Sequence, residues 1–244
     1  MMNITEQTIV GELVAKDYRT ASVFKKQGID FCCAGNRTIA EACAKKSIDP
    51  ALVIETLEEI INKTNHPVAD YNTWPLDLLA DYVEKKHHRY VEEKIVEIVP
   101  FLNKVASVHG DRHPELLEVQ QLFRGCVEEL TSHMQKEEQI LFPFVRQLAT
   151  GKSVQAPFGS VQNPIKMMMH EHTAEGERFR RIVELTDNYM PPADACNTYK
   201  VTFALLQEFE EDLHLHIHLE NNIMFPRAIA LEAKANNRNR IATV

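Results

Sequence analysis

The sequence predicts an all-α protein, with an antiparallel four-helix bundle over residues 76–244, a small helical domain over residues 1–63 and a linker over 64–75 between them. Three observations point there. Only 8 Gly and 11 Pro occur among 244 residues that are 44% hydrophobic and 25% charged, a composition of long regular elements. Four long segments carry apolar residues at helical period. One motif occurs twice, at a spacing that suits a duplicated helix pair.

In chain order, the first 63 residues alternate short amphipathic stretches with turns. Gly28 ends one such stretch, and Asp49-Pro50, an N-cap followed by a first-turn proline, opens a helix through Ile61. Asn65, His66, Pro67, Asp70, Asn72 and Pro75 then interrupt any helical period. Beyond this linker the helices are expected over Leu76 to about Val108, Pro114 to about Thr150, Pro164 to about Asn188, and Ala193 to about Lys234. Gly110, the stretch from Gly151 to Gly159, and Pro191-Pro192 mark the turns, and four helices so joined suit an up-and-down bundle.

A formal charge of −8 and a pI near 5.8 argue against nucleic acid or an anionic membrane as partner, since both require clustered Lys and Arg. No basic segment followed by an apolar one occurs in Met1 to Glu12, and no eighteen apolar residues run together, so a cytoplasmic protein is expected. The five cysteines, Cys32, Cys33, Cys43, Cys126 and Cys196, are odd in number and scattered, which reads as reduced thiols.

The chemistry lies in the repeat. His133-x-x-x-Glu137-x-x-Ile140-x-Phe142-Pro143 recurs as His216-x-x-x-Glu220-x-x-Ile223-x-Phe225-Pro226, and a further histidine precedes each copy, His88 and His172, at offsets of 84 and 83 residues. Residues four apart on an α-helix lie about 40° apart, so His and Glu at this spacing reach one point. Two such helices facing two that each present one His place four imidazoles and two carboxylates in the bundle core. This is a ligand set for two metals, of the kind with which bundles hold di-iron or di-manganese centres. Buried carboxylates without partners are costly, and metal coordination supplies the compensation.

Helical phase selects among the eleven histidines. His172 shares a face with Ile165, Met168, Met169, Phe179 and Ile182, whereas His170 points away; His216 aligns with Leu205, Phe209, Leu213 and Ile223, while His214 and His218 fall among polar residues including Asn221 and Asn222 and are expected in solvent. His88 follows the stripe of Val91, Ile95, Val99 and Leu102, and His87 lies about 100° off it. No ligand role follows for His66, His109 or His113. Glu129, one turn before His133, and Glu171, directly before His172, are candidates to accept hydrogen bonds from the ligands or to replace one of them. Cys32 and Cys33, beside Gly35, are either two inert thiols or reactive ones with lowered pKa. Cys43, Cys126 and Cys196 read as small apolar residues.

The helices bearing His88, His133-x-x-x-Glu137, His172 and His216-x-x-x-Glu220, preceded by Asp30-Phe31-Cys32-Cys33-Ala34-Gly35-Asn36, resemble the iron–sulfur cluster repair proteins of the hemerythrin-like superfamily over nearly the whole chain. Oxygen-carrying hemerythrins share the bundle but typically place a second His four residues after the third-helix ligand, where this chain has Gly176, and an Asp near the end, where it has Glu220. The resemblance implies a hemerythrin-like bundle holding two iron ions per chain with an oxo or hydroxo bridge. It implies a cytoplasmic protein that restores iron–sulfur clusters damaged by nitric oxide or oxidants by donating iron to the damaged proteins. Two other activities are compatible with it: reduction of two nitric oxide molecules to nitrous oxide and water with electrons from a partner, and binding or sensing of a diatomic gas or oxygen species. It leaves a homodimer open and favours a functional reading of Cys32 and Cys33.

Overall fold

The computed structural model describes residues 4–62, 70–151, 156 and 158–242. In its N-terminal part, α1 (Val10–Lys16), α2 (Ala21–Lys26), α3 (Ile39–Lys46) and α4 (Pro50–Asn62) pack around Leu13, Phe24, Ile39 and Leu57. A capping box opens α3, where the Thr38 hydroxyl accepts from the Glu41 amide and the Glu41 carboxylate accepts from the Thr38 amide. A single antiparallel bridge, Ile9 to Thr38, is the sole β-pairing among the described residues. The linker expected over 64–75 lies outside the described residues as far as Ala69, and with it His66; its remaining end carries a short 3-10 turn, Tyr71–Thr73.

The bundle consists of α5 (76–109), α6 (115–149), α7 (Gln162–Leu185) and α8 (197–242). Helix α7 stops at Leu185, earlier than its periodicity suggests, because Asp187, Asn188 and Tyr189 all take left-handed conformations, with φ of 48°, 56° and 59°. Helix α8 runs on to Ala242. Of the apolar face assigned to α7, Ile165, Met168, Phe179 and Ile182 are buried, but Met169 is exposed.

Three of the four bundle helices are interrupted by a π-helical turn: Val83–His88 in α5, Glu137–Leu141 in α6 and Leu219–Met224 in α8. An i→i+5 turn widens the helix by one residue and shifts the phase of every residue beyond it, so uniform α-helical phase does not hold across these turns. In α6 and α8 the α-helix restarts on Phe142-Pro143 and Phe225-Pro226, where the absent proline N–H is accommodated by the irregular turn before it.

The apolar interior is in two blocks. One includes Val91, Leu130, Met134, Phe179, Leu213 and Ile217 together with the core of the N-terminal part. The other includes Leu79, Val83, Leu141, Met168, Leu219 and Ile223. Along every bundle helix buried polar residues stand at or beside the change from one block to the other: His88, His133 with Glu137, His172, and His216 with Glu220.

The N-terminal part docks on the side chain of Asn222, in the π turn of α8, at a point where two of its own backbone segments approach closely. The Asn222 amide donates to the carbonyl of Phe31 at 3.1 Å, and Gly11 N donates to Gly35 O at 2.7 Å. A Cβ on Gly35 would lie 2.3 Å from Phe31 O and 2.9 Å from Asn222 Oδ1. Gly35→Ala is therefore expected to destabilise the protein by about 1–3 kcal/mol, read as a lower urea midpoint, through forced separation of these backbones. An unchanged midpoint would show that the contact is loose. No helix among the described residues is long and apolar enough to cross a membrane.

Candidate metal centre

The six side chains singled out by the repeat converge at the boundary between the two apolar blocks. His88 ends the π turn of α5, His133 and Glu137 lead into that of α6, His172 sits mid-α7, and His216 and Glu220 flank the start of the π turn of α8. They form two overlapping groups of four, His88–Glu137–His216–Glu220 and His133–Glu137–His172–Glu220, and within each group one donor atom per residue lies within 4.8 Å of the others. Both carboxylates belong to both groups and are fully buried, at 0% exposure. Around them, His88 Nε2 and His133 Nε2 approach Glu137 Oε2 at 3.4 and 3.3 Å, while His172 Nε2 and His216 Nε2 approach the Glu220 oxygens at 3.1 and 3.3 Å.

Whether these groups suit metal ions is decided by where their protons sit. Glu171, an acceptor only, takes the hydrogen on His133 Nδ1 at 2.7 Å. The Asn221 amide nitrogen faces the Cys32 carbonyl at 3.2 Å, so its oxygen faces His172 Nδ1 at 2.9 Å and takes that hydrogen too. Both Nε2 lone pairs are then turned inward, 3.0 Å apart. Two lone pairs facing each other beside two buried carboxylates repel unless a cation or a proton lies between them. The four Glu137 and Glu220 oxygens make no hydrogen bond among the described residues. The donor set fits two cations.

The electrostatics of these side chains point the same way. Burial works against the charged form of His133, yet the carboxylates of Glu137, Glu171 and Glu220 outweigh it and push its pKa up to about 10. Burial and the charge of Glu220 raise Glu137, but His133 and His88 pull it below the ordinary carboxylate range. His216, by contrast, is driven down by its burial. Protons on imidazoles thus supply part of the positive charge that this layer requires.

Surrounding groups hold these side chains in place. His88 Nδ1 pairs with Glu138 Oε1 at 2.9 Å, and Arg89 also binds that carboxylate. Lys136 likewise binds Glu171. Phe142 stacks on His88 with ring centroids 5.5 Å apart, and Phe225 stacks on His172 at 6.0 Å. The repeated Phe therefore closes one side of His88 and of His172.

Several sequence expectations are corrected here. Glu129 stands on the exposed face of α6 and makes no approach to the cluster, so of the two candidate acceptors only Glu171 serves. His170 is exposed as expected, but His218 and Asn221 are buried, and His214 and Asn222 are half-buried, because the N-terminal part covers this side of α8. Phe31 packs against both His214 and His218. His87 is also buried, brought inward by the π turn of α5, with Nδ1 bound to Asp212 at 3.0 Å. Cys196 is exposed rather than part of the core. Glu138 and Asn221 were not anticipated as partners of the ligands, although each directly follows the Glu of its repeat copy.

Cys32 and Cys33 are free thiols with Sγ atoms 3.6 Å apart. Asp30 Oδ1 organises their turn by accepting from the backbone amides of Cys32, Cys33 and Ala34. Of the two readings of this pair, the hydrogen bond with Cys33 and full burial, which push the Cys32 thiol well up, favour the inert one for Cys32. Cys33 Sγ donates to the backbone carbonyl of His172 at 3.3 Å, over Gly176, where a Cβ would lie 3.2 Å from the sulfur. The position that carries a second histidine in oxygen-carrying hemerythrins is thus the seat of a thiol.

Residues 80–228 match the family model of the hemerythrin HHE cation binding domain, and residues 6–61 match a domain of unknown function, DUF542. Among curated proteins, the iron-sulfur cluster repair protein ScdA of Staphylococcus haemolyticus is 34% identical over 224 residues, 91% of this chain and 98% of that protein. The chain belongs to the hemerythrin-like iron–sulfur cluster repair family. The repair protein YtfE of Musicola paradisiaca is 36% identical over 95% of this chain and its own full length, and that of Escherichia coli O17:K52:H18 is 36% identical over 91% and 97%. Membership in this repair family accounts for both parts of the chain at once, the cation-binding bundle and the Cys-Cys domain docked on it.

Proposed function

We propose that His88, His133, Glu137, His172, His216 and Glu220 hold two iron ions, and that the protein repairs damaged iron–sulfur clusters in the cytoplasm by donating iron. The reading rests on one observation above all: two fully buried carboxylates without hydrogen-bond partners are shared by two pairs of imidazoles whose Nε2 atoms turn towards them. The names of the relatives supply the repair activity. Two iron ions held there would supply metal that is both redox-active and transferable.

The residues of the chain perform the remaining tasks. Glu137 and Glu220 offset cationic charge, Glu138, Glu171 and Asn221 fix the tautomers of three histidines, and the apolar layers on either side exclude water. The Cys32–Cys33 turn touches the His172 backbone through Cys33 Sγ, and this reading gives the turn the contact with a client.

The test is isotopic. Protein loaded with 57Fe is mixed with an enzyme whose [4Fe–4S] cluster has been damaged by nitric oxide. Recovery of the client should be accompanied by 57Fe in its rebuilt cluster and a fall in the donor's iron. Recovery without 57Fe in the client would exclude donation. Cys32→Ala with Cys33→Ala should slow recovery while leaving bound iron unchanged, and full-speed recovery would return the pair to a packing role.

A further inference from the structure

The duplicated sequence suggests two equal half-sites, but the groups behind the four histidines are unequal. Two positions in each repeat copy govern this. The residue directly after the shared Glu is Glu138 in the first copy and Asn221 in the second, and each accepts from the Nδ1 of the single histidine of its own helix pair, His88 and His172, at 2.9 Å. Here the pseudo-symmetry is kept.

The residue directly before the single histidine breaks it. In the second copy this is Glu171, which accepts from His133 Nδ1 at 2.7 Å. Its counterpart in the first copy is His87, whose expected recipient is His216. His87 does lie beside His216, but flat against it, with ring centroids 5.7 Å apart and planes at 15°. A stacked ring cannot aim a lone pair at its neighbour's edge. His87 Nδ1 is turned instead to Asp212, and its Nε2 has no hydrogen-bond partner among the described residues. His216 Nδ1 consequently lacks any partner among the described residues, in a side chain that is 1% exposed.

This matters for a bound metal. A histidine that coordinates through Nε2 carries its hydrogen on Nδ1, and an acceptor there orients the ring and strengthens its donor atom. Three of the four ligands have such an acceptor. His216 does not, and it belongs to the group with His88. His172, in the other group, is held twice, through Asn221 on its ring and through the contact of its carbonyl with Cys33.

We infer that the two metal ions are held unequally, with the His88–His216 half-site carrying the exchangeable ion and the His133–His172 half-site the retained one. The inference builds on the iron-donor reading and adds to it which ion is given up. Loss of an outer acceptor typically lowers metal affinity by about 10–100-fold, which sets the expected gap between the two sites.

The experiment is release of iron from the fully loaded, full-length protein to an excess of a ferrous chelator, followed by absorbance. Wild type should lose its iron in two phases of equal amplitude separated by about 10–100-fold in rate. Glu138→Gln should accelerate the fast phase alone. Asn221→Ala should accelerate the slow phase alone, towards the fast one. Asn221→Asp keeps an acceptor for His172 while losing the amide that faces Cys32, so it should leave the slow phase slow; this separates the effect on the imidazole from any loosening of the N-terminal part. A single release rate in wild type would overturn the inference, and so would Asn221→Ala acting on the fast phase or Asn221→Asp behaving like Asn221→Ala. These outcomes differ from failure of the donor reading, in which the client recovers without iron from this protein whatever the release kinetics.

Discussion

Glu220→Ala should reduce bound iron from about two ions per chain to almost none, because this carboxylate is common to both groups of four and its loss removes a donor from each half-site at once. His133→Ala and His216→Ala should each deplete iron as well, whereas His170→Ala and Glu129→Ala, on exposed faces of α7 and α6, should retain the full amount. Metal analysis after loading with ferrous iron and desalting reads all five variants. Equal iron in Glu220→Ala and wild type would sink the ligand assignment. Loss in His170→Ala would show that the wrong face of α7 was chosen.

The second large effect is on stability. Stripped of cations, the layer retains two fully buried carboxylates and four buried imidazoles that compensate one another only by protonation. Metal that binds only the folded chain stabilises it by about 4 kcal/mol at a thousandfold excess over its dissociation constant. For a chain of this size about 1 kcal/mol moves the melting temperature by about 2–4 °C, so metal-free protein should melt on the order of 10 °C lower than loaded protein. Coincident melting curves in scanning calorimetry would mean that the ions sit elsewhere or that water fills the layer.

The core of this site was legible in the sequence because a duplication displays its constraints twice. Each offset shared by the two copies corresponds to a physical demand: His133 with Glu137 and His216 with Glu220 on one face, and Phe142 and Phe225 over the single histidines. Even the π turns left a trace, since a proline one residue after Phe142 or Phe225, inside a long helical pattern, marks a place where regular hydrogen bonding must yield. The π turn of α5 has no such proline, and that is where His87 was misplaced. A second group of misplacements shares one cause. His218, Asn221 and Asn222 look like a solvated face because helical phase shows which residues are polar, not whether another part of the chain covers them. Glu138 and Asn221 occupy equivalent places in the two copies, but as Glu and Asn they share no identity, so a search for identical residues passes over them.

The division of the apolar interior into two blocks has a consequence for how the molecule holds together along its length. Along the bundle helices the apolar packing is divided at the polar layer, so the two ends are joined there by the helix backbones, by α1, whose Leu13 and Val14 belong to one block and Ala15 to the other, and by whatever occupies the layer. A pair of cations gripped from all four helices would act as a rivet there, coupling the two ends. Without it each block keeps its own contacts and loses its dependence on its neighbour. The block that includes the N-terminal part also contains Phe24, Phe123, Phe179 and Phe209, and would outlast the other. A protein that surrenders metal would then loosen at one end while the end bearing Cys32 and Cys33 stays ordered, and the act of giving would change the giver's cooperativity.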